Sequence, residues 1–247
     1  GKAPEKKGYV IMLKNITEFK ELDSAKTTFI STISHELKTP LSAILMSLQL
    51  LEDKRIGALN PEQEDLSNSI KENTERLLNI TSELLNMTQV EAGKLQLKPK
   101  ITKPIELIDY AIKANRVQAE KFNIQIEVEY PEDKIGKLFV DSEKIAWVLT
   151  NLLSNAIKYT QEGGTIDISM KKYGENDALV SVKDNGCGMS EEVVRRIFDK
   201  FYQGDTSHTS KGNGLGLAMV KRVVELLDAK ISVESEPGKG STFTVEL

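Results

Sequence analysis

The side chain best suited to direct chemistry is the imidazole of His35. The surrounding residues predict a helix, and with about 100° of rotation per residue His35 lies about 200° from Ile33 and from Leu37, away from the apolar stripe. A solvent-facing imidazole is largely neutral at about pH 7 and can act as a nucleophile. Glu36 could accept a hydrogen bond from one ring nitrogen, and Thr39, one turn further on, could orient a water. The alternative is an exposed histidine without a role.

A second group of polar residues is the pair Asn151 and Asn155, which are four residues apart and share one face of a predicted helix. Lys158 follows three residues later. Two carboxamides in register with an ammonium group suit a hydrated Mg²⁺ and a polyphosphate, because Mg²⁺ takes oxygen ligands, often from substrate phosphates. An ordinary polar helix face is the alternative interpretation.

The segment Asp184-Asn-Gly186-Cys-Gly188 follows an apolar run that predicts a strand. Its two glycines would let the backbone approach a flat ligand closely, and Asp184 could accept a hydrogen bond from an exocyclic amine. A turn at the end of a strand accounts for the same residues equally well.

A glycine-rich segment, Gly212-Asn-Gly214-Leu215-Gly216, precedes another predicted helix. Backbone N–H groups at a helix N-terminus bind phosphate, and the helix dipole favours the same charge. The glycines alternate, and the segment does not directly follow a strand, so it does not fit the G-x-G-x-x-G dinucleotide pattern. A Rossmann-type site is therefore excluded.

Composition restricts the classes of partner. The 247 residues include 33 Lys and Arg against 37 Asp and Glu, a net charge of −4. We therefore expect no nucleic-acid partner and no membrane contact by this fragment. One cysteine and two histidines exclude an intramolecular disulfide and argue against a zinc cage. No apolar run reaches the ~20 residues of a membrane-spanning helix, and we expect a cytoplasmic location.

Two amphipathic helices must position His35. Apolar residues recur at spacings of three and four over residues 23–52, where Pro40 is expected to bend the helix. Asn60, Pro61 and Gln63 predict the start of a second helix. An antiparallel hairpin cannot cover both stripes within one chain, so we expect a homodimer that forms a four-helix bundle. The stripe residues are Ile30, Ile33, Leu37, Leu41, Ile44, Leu48 and Leu51, then Leu66, Ile70, Asn73, Leu77, Ile80, Leu84 and Met87.

Beyond about residue 94 the pattern changes to short, alternating elements. Asp141 predicts the cap of a helix that ends near Tyr159. Mixed helices and largely hairpin-connected strands predict an α+β fold, an α/β sandwich. The other predicted helices cover residues 105–121, 190–198 and 214–228, and the strands lie near 124–128, 138–140, 165–172, 178–183, 230–235 and 241–246.

The first residues resemble part of a different domain. GYVIML at 8–13 resembles the final strand of a PAS sensor domain, and the Asn15-Ile-Thr-Glu that follows resembles its turn into a signalling helix. The resemblance implies that residues 1–22 are the remnant of an upstream sensor with its linker helix; a frayed linker is the alternative. Residues 23–94, with the helical hairpin, and residues 95–247 are then expected to be two further domains.

In their order along the chain, these segments resemble the catalytic core of bacterial sensor histidine kinases. FISTISHELKTPL, around His35, matches the phosphoacceptor motif of that family, and NLLSNAIKYT matches its asparagine motif. DNGCGM and GNGLGL match its two glycine motifs, FDKFYQ its phenylalanine motif, and PGKGSTF its terminal motif. The resemblance covers about residues 20–247. It implies a dimerising hairpin followed by an ATP-binding domain of the Hsp90-like (GHKL) type.

The resemblance also implies ATP and Mg²⁺ as ligands. Asn155 and Asn151 would hold Mg²⁺, Lys158 would contact phosphate and Tyr159 would pack near the nucleotide. Asp184 would accept a hydrogen bond from the adenine amine. The other residues implied in ATP binding are Gly186, Gly188, Gly212, Gly214, Leu215, Gly216 and Thr242.

The implied activity is ATP-dependent autophosphorylation of His35, with Glu36 as the polarising base. The phosphoryl group would pass to an aspartate of a response-regulator receiver domain. Thr39 stands where the family has a residue associated with regulator dephosphorylation, so a phosphatase activity is implied as well. Residues 200–214 would form a lid over ATP in which His208 is solvated.

Three other functions fit parts of the sequence. A degenerate kinase could serve as a scaffold, a GHKL ATPase could work without phosphohistidine chemistry, and a serine kinase of the anti-sigma type could share the nucleotide site. The presence of all the polar ligands argues against the first. The hairpin that carries His35 argues against the other two. We therefore expect a protein histidine kinase.

Overall fold

The computed structural model describes residue 15 and residues 17–92, 96–130, 136–174, 177–204 and 214–247. The chain divides into two compact units, residues 1–93 and 94–247. The predicted strand at 8–13, Gly212 and His208 lie outside the described residues. No helix in the described part of the chain is long and apolar enough to cross a membrane.

The N-terminal unit consists of two long helices, α1 over Thr17–Leu51 and α2 over Pro61–Glu91. Helix α1 begins earlier than residue 23 and remains a continuous helix through Pro40. The predicted start of α2 is confirmed. The Asn60 side chain accepts a hydrogen bond from the Gln63 N–H at 2.8 Å, and the Gln63 side chain accepts one from the Asn60 N–H at 2.9 Å. This reciprocal pair satisfies two N–H groups that the helix itself cannot.

The contact between α1 and α2 is lined by a row of residues that are spaced by seven or fourteen. Small hydroxyl side chains occupy much of it, and several satisfy their hydroxyls on their own helix: Thr74 Oγ1 donates to the Ile70 carbonyl at 2.7 Å, and Thr88 Oγ1 donates to the Leu85 carbonyl at 2.8 Å. Polar side chains can therefore be buried here without an unsatisfied group. The row consists of Thr27, Ser34, Leu41 and Leu48 on α1, with Ser67, Thr74 and Thr88 on α2.

The predicted apolar stripe is divided between two faces. Leu41 and Leu48 pack inside the hairpin, at 9% and 6% exposure. Met87 on α2 is also buried, at 8%, and Ile30, Ile80 and Leu84 are half-buried. The seven remaining large apolar residues of the stripe keep between 39% and 65% of their surface exposed within one chain, as expected for a hairpin that cannot cover its own stripe. These exposed residues are Ile33, Leu37, Ile44 and Leu51 on α1, and Leu66, Ile70 and Leu77 on α2.

The C-terminal unit is a five-stranded sheet with helices on one face. Its helices are α3 (Pro104–Lys121), α4 (Ser142–Tyr159), α5 (Glu191–Arg196) and α6 (Gly216–Leu226). Its strands are β1 (Lys100–Thr102), β2 (Gln125–Glu129), β3 (Leu138–Val140), β4 (Thr165–Tyr173), β5 (Asp177–Asp184), β6 (Lys230–Glu236) and β7 (Gly240–Glu246). The main sheet has the order β2-β4-β5-β7-β6, and β1 pairs with β3 in a separate ribbon.

The main sheet is mixed. Strands β4, β5, β7 and β6 pair antiparallel, as the predicted hairpins require, whereas β2 and β4 are parallel. A parallel pair needs a long crossover connection, and the segment between β2 and β4 contains α4. Alternate residues along the three central strands are buried against the helices, so the α/β sandwich predicted from the sequence is confirmed.

Asp141 connects the start of this unit to α4. One carboxylate oxygen accepts from the Lys144 N–H at 3.1 Å and caps the helix, while the other accepts from the Lys98 N–H at 2.8 Å. The residue is buried. Each oxygen therefore satisfies a backbone donor that the surrounding secondary structure leaves unpaired.

We predict that Asp141→Ala lowers the free energy of unfolding of this unit by about 2 kcal/mol, because it removes a helix cap and takes the acceptor from the partly buried Lys98 N–H bond. Asp141→Asn keeps one acceptor oxygen and should lose less. Urea unfolding followed by the fluorescence of Trp147, the single tryptophan and a residue of α4, measures this unit selectively. Equal stability of the Ala variant and the wild type would contradict the prediction.

Candidate functional site

Helix α4 presents a polar face that includes Asn151, Asn155 and Lys158. Its opposite face is apolar and buried, with Leu152 and Leu153 almost fully inaccessible, so the polar residues are turned to the edge of the core and are half-buried. The Asn151 amide nitrogen donates to the Trp147 carbonyl at 2.8 Å. This bond directs its carbonyl oxygen outward as an acceptor.

The N-terminus of α6 faces the same edge. A Cβ placed on Gly216 would lie 3.8 Å from the Asn151 side-chain oxygen, which brings the asparagine face and the start of α6 together. The N-cap residue, Leu215, makes no side-chain capping hydrogen bond, and among the described residues the first N–H groups of α6 could serve an anion. Gly214 has a φ of +67°, and its carbonyl accepts from the Phe201 N–H at 2.9 Å.

The third part of the site is the carboxylate of Asp184, at the end of β5. Asp184 is only 5% exposed. Its Oδ1 accepts from the Gly186 N–H at 2.9 Å and from the Ser241 N–H at 3.2 Å. Both of these hydrogen bonds fall on Oδ1, so among the described residues Oδ2 receives none and can accept from a ligand.

Burial raises the pKa of Asp184 above the ordinary value of 3.8, and the hydrogen bonds from backbone N–H groups only partly oppose this effect. The charged form is therefore disfavoured in the protein relative to water. A ligand that donates a hydrogen bond to Oδ2 would stabilise the charge.

The glycines after Asp184 allow the loop to lie against its neighbours. A Cβ on Gly186 would overlap the carbonyl of Tyr159 at the end of α4, and one on Gly188, which has a φ of +62°, would overlap the carbonyl of Glu236. The Cys187 N–H also donates to the Tyr159 carbonyl at 3.2 Å. The loop is thus fixed between α4 and the β6–β7 hairpin.

One predicted residue lies elsewhere, and one was missed. Thr242 pairs with Lys183 on β5, and the alternation along β7 places it on the other face of the sheet from Ser241. It therefore does not join this group. Ser241, which the sequence reasoning passed over, is the β7 residue beside Asp184. Residues two apart on a strand face the same side, so Ser241 could have been identified as the residue that shares the core-facing side with the apolar Phe243.

His35 belongs to the N-terminal unit. Ser34 is buried and its hydroxyl donates to the Thr81 carbonyl of α2 at 3.4 Å, which turns the next residue away from the contact. His35, Glu36 and Thr39 are all exposed. Among the described residues, the structure has no hydrogen bond between His35 and Glu36, so the orienting role of Glu36 stays a prediction.

The residues at the α4 face fit a divalent cation that takes few protein ligands. The described part of the chain contains no group of three or more His, Cys, Asp or Glu side chains that could hold a metal ion. Asn151 and Asn155 supply neutral amide oxygens. Such a donor set suits Mg²⁺, which keeps several waters and takes other ligands from phosphate.

Two family models match the chain. Residues 25–93 match the His Kinase A (phospho-acceptor) domain, and residues 140–247 match the histidine kinase-, DNA gyrase B- and HSP90-like ATPase domain.

Similar curated proteins are sensor kinases. The circadian input-output histidine kinase CikA of Synechococcus elongatus is 34% identical over 226 residues, which make up 90% of this chain and 30% of that protein. The sensor protein SrrB of Staphylococcus aureus is 31% identical over 244 residues, 98% of this chain and 41% of that protein. The chain thus spans less than half of the length of these relatives.

Similar solved structures are also histidine kinases. Full-length ShkA in complex with AMPPNP has a TM-score of 0.74 and 26% identity, covering 89% of this chain and 45% of ShkA. The catalytic domain of the histidine kinase ThkA has a TM-score of 0.53 and 28% identity, covering 62% of this chain and 95% of that domain.

We predict that Asp184→Asn weakens ADP binding by about a hundredfold or more, because an amide NH₂ replaces an acceptor that faces a ligand donor. The variant should nevertheless be at least as stable as the wild type. Because folding raises the pKa of Asp184, the wild type has the full benefit of the protonated carboxyl below about pH 3.8 and loses it as pH rises through the folded pKa. The stability advantage of the Asn variant should therefore grow with pH across that window.

Calorimetric titration with ADP and thermal unfolding between about pH 3 and pH 8 measure both effects. Asp177→Asn, at the exposed start of the same strand, is the matched control. An Asp184→Asn protein that binds ADP like the wild type would refute the role of this carboxylate.

Proposed function

Because the chain belongs to the histidine kinases and carries both their phospho-acceptor and their ATPase domain, we propose that it phosphorylates its own His35 from ATP and passes the phosphoryl group to a response regulator. The observation that carries this proposal is the convergence of three parts of one unit, the asparagine face of α4, the uncapped start of α6 and the buried Asp184. The other unit exposes an imidazole.

ATP would bind along the edge that these three parts share. The adenine amine donates to Asp184 Oδ2, with the Gly186 and Gly188 backbone against the base and Tyr159 nearby. The phosphates lie towards the N-terminus of α6, where Gly214, Leu215 and Gly216 present backbone N–H groups, and towards Lys158. The sequence motif assigns Gly212, which lies outside the described residues, to the same phosphate-binding group. The β- and γ-phosphates carry the charge that both a helix N-terminus and an ammonium favour.

Asn155 and Asn151 would hold Mg²⁺, which when bound neutralises phosphate charge during phosphoryl transfer. The remaining work falls to the chain itself. A neutral nitrogen of His35 attacks the γ-phosphorus; an N–P bond forms as the bond to the bridging oxygen of ADP breaks. Glu36 accepts a hydrogen bond from the second ring nitrogen and stabilises the positive imidazolium.

A second copy of the chain would cover the exposed apolar rows of α1 and α2. Seven large apolar side chains of the predicted stripe lie exposed on the two helices, and a four-helix bundle of two hairpins buries such a surface. We assign dimerisation and phosphotransfer to residues 23–94, ATP binding to residues 95–247, and a remnant of an upstream sensor to residues 1–22. We place these domains in the cytoplasm, where ATP is available.

The response regulator would dock below His35. Met46 and Leu50 are 64% and 53% exposed. At about 100° per residue they lie about 20° and about 60° around the helix from His35. Ile44, which belongs to the exposed apolar row that a second copy would cover, lies about 180° away from His35. An exposed apolar pair on the face of the phosphorylated residue suits a receiver domain, whose aspartate must approach His35. Thr39 lies on the same face and would orient the water in dephosphorylation.

We predict that His35→Gln abolishes labelling of the protein by γ-labelled ATP, while ADP binding is unchanged because His35 is outside the ATP-binding domain. The wild-type label should be lost in acid and retained in alkali, as a phosphoramidate is. His208→Gln, which replaces the only other histidine, is the control and should retain the label. Label that persists in His35→Gln would refute the proposal.

We predict that Met46→Glu slows phosphoryl transfer to the receivers that the wild type phosphorylates by at least about tenfold, because a charge replaces an apolar contact. Autophosphorylation should stay within about twofold of wild type, since Met46 lies away from the exposed apolar row that a second copy would cover. Ser47→Glu introduces the same charge at a neighbouring exposed position, about 120° from His35 around the helix. If both variants slow transfer equally, the docking face is wrongly placed.

A further inference from the structure

A cluster of hydroxyl groups connects the Asp184 loop to the β6–β7 hairpin. Ser235 on β6 and Ser241 on β7 are direct partners in the antiparallel register, and their hydroxyl oxygens are 2.9 Å apart. The Ser235 hydroxyl also accepts from the Met189 N–H at 2.8 Å and contacts the Gly240 carbonyl at 3.0 Å. Ser235 itself lies outside the sequence motifs, whereas its three partners belong to the DNGCGM and PGKGSTF segments.

The direction of the hydrogen bonds in this cluster follows from counting protons. A serine hydroxyl has one proton to donate and two lone pairs. The Gly240 carbonyl can only accept, so the single proton of Ser235 is used there. The Met189 N–H occupies one lone pair of Ser235. In the remaining contact Ser235 must therefore accept, and Ser241 must donate.

The donation fixes the chemical character of Ser241. With its proton held by Ser235, the Ser241 hydroxyl can accept a further hydrogen bond but cannot donate one. Ser241 is buried and lies beside Asp184, to which its backbone N–H donates at 3.2 Å. Asp184 and Ser241 are neighbours on adjacent strands, so a ligand that donates to Oδ2 of the carboxylate has Oγ of the serine as a second nearby acceptor.

We propose that Ser235 is a positioning residue for base selection: by holding the Ser241 proton, it makes the base site accept from an amine and reject a keto oxygen. Adenine has an amine where guanine has a keto oxygen, so the site favours adenine nucleotides. The inference rests on the proposed function, in which the base lies at Asp184. The keto oxygen of guanine would place an acceptor against two buried acceptors and leave them unpaired, and such mismatches give the largest discrimination.

Ser235→Ala tests this directly. Removal of the Ser235 hydroxyl leaves the Ser241 hydroxyl without its acceptor, so Ser241 can then donate its proton to a keto oxygen. The ratio of the dissociation constants for GDP and ADP, measured by calorimetry with the whole chain and Mg²⁺, should fall by about tenfold. Ser235→Thr keeps a hydroxyl at this position and should have the wild-type ratio. Ser232→Ala, at an exposed position of the same strand, should leave it unchanged.

Ser241→Ala is the second variant, and it too should lower the ratio, because it removes the acceptor but keeps the N–H that binds Asp184. A Ser235→Ala protein whose affinities for ADP and GDP fall by the same factor would overturn the inference, since Ser235 would then only brace the loop. An unchanged ratio overturns it as well. A wild type that binds neither nucleotide would refute the proposed function itself, and the inference with it.

Discussion

The candidate nucleotide site depends on one buried carboxylate at the end of a central strand. Asp184 holds the backbone of its own loop through Gly186 and the backbone of β7 through Ser241, both on one oxygen. The burial that makes these bonds strong also disfavours the charge. In the folded protein, Oδ1 of this carboxylate accepts two hydrogen bonds, and Oδ2 accepts none from the described residues. In the proposed function the adenine amine supplies a donor to Oδ2, so stability and binding make opposite demands on the same residue.

Helical periodicity supplies the second constraint, because α4 must serve the core and the site at once. Its apolar residues, including Leu152 and Leu153, fill the space against the sheet, and the same 3.6-residue repeat turns Asn151 and Asn155 to the edge. The cap at Asp141 fixes where this repeat begins. Small shifts of the cap would rotate the asparagines away from α6, which links the stability of the helix start to the geometry of the site.

Much of this arrangement is local in origin and could be predicted from the sequence. The caps at Asn60 and Asp141 and the alternation along the strands depend on neighbours within a few residues. The site residues of α4 and the Asp184 loop could be recognised as motifs. The choice between Thr242 and Ser241 could not be made from the motif alone, because it depends on strand register. The contribution of Ser235 depends on a pairing between strands and on a proton count that needs the distances.

The hairpin shows the same limit of local patterns. Spacing by three and four identifies apolar positions but does not say which of two faces each one serves. Hydroxyl residues at Thr27 and Ser34 form the buried row near His35, and leucines at Leu41 and Leu48 form it nearer the loop. On α1, the buried row is therefore less apolar near His35 than nearer the loop. Ile33 and Leu37 of the exposed row flank His35 in the sequence, so we expect dimerisation to affect the position of His35.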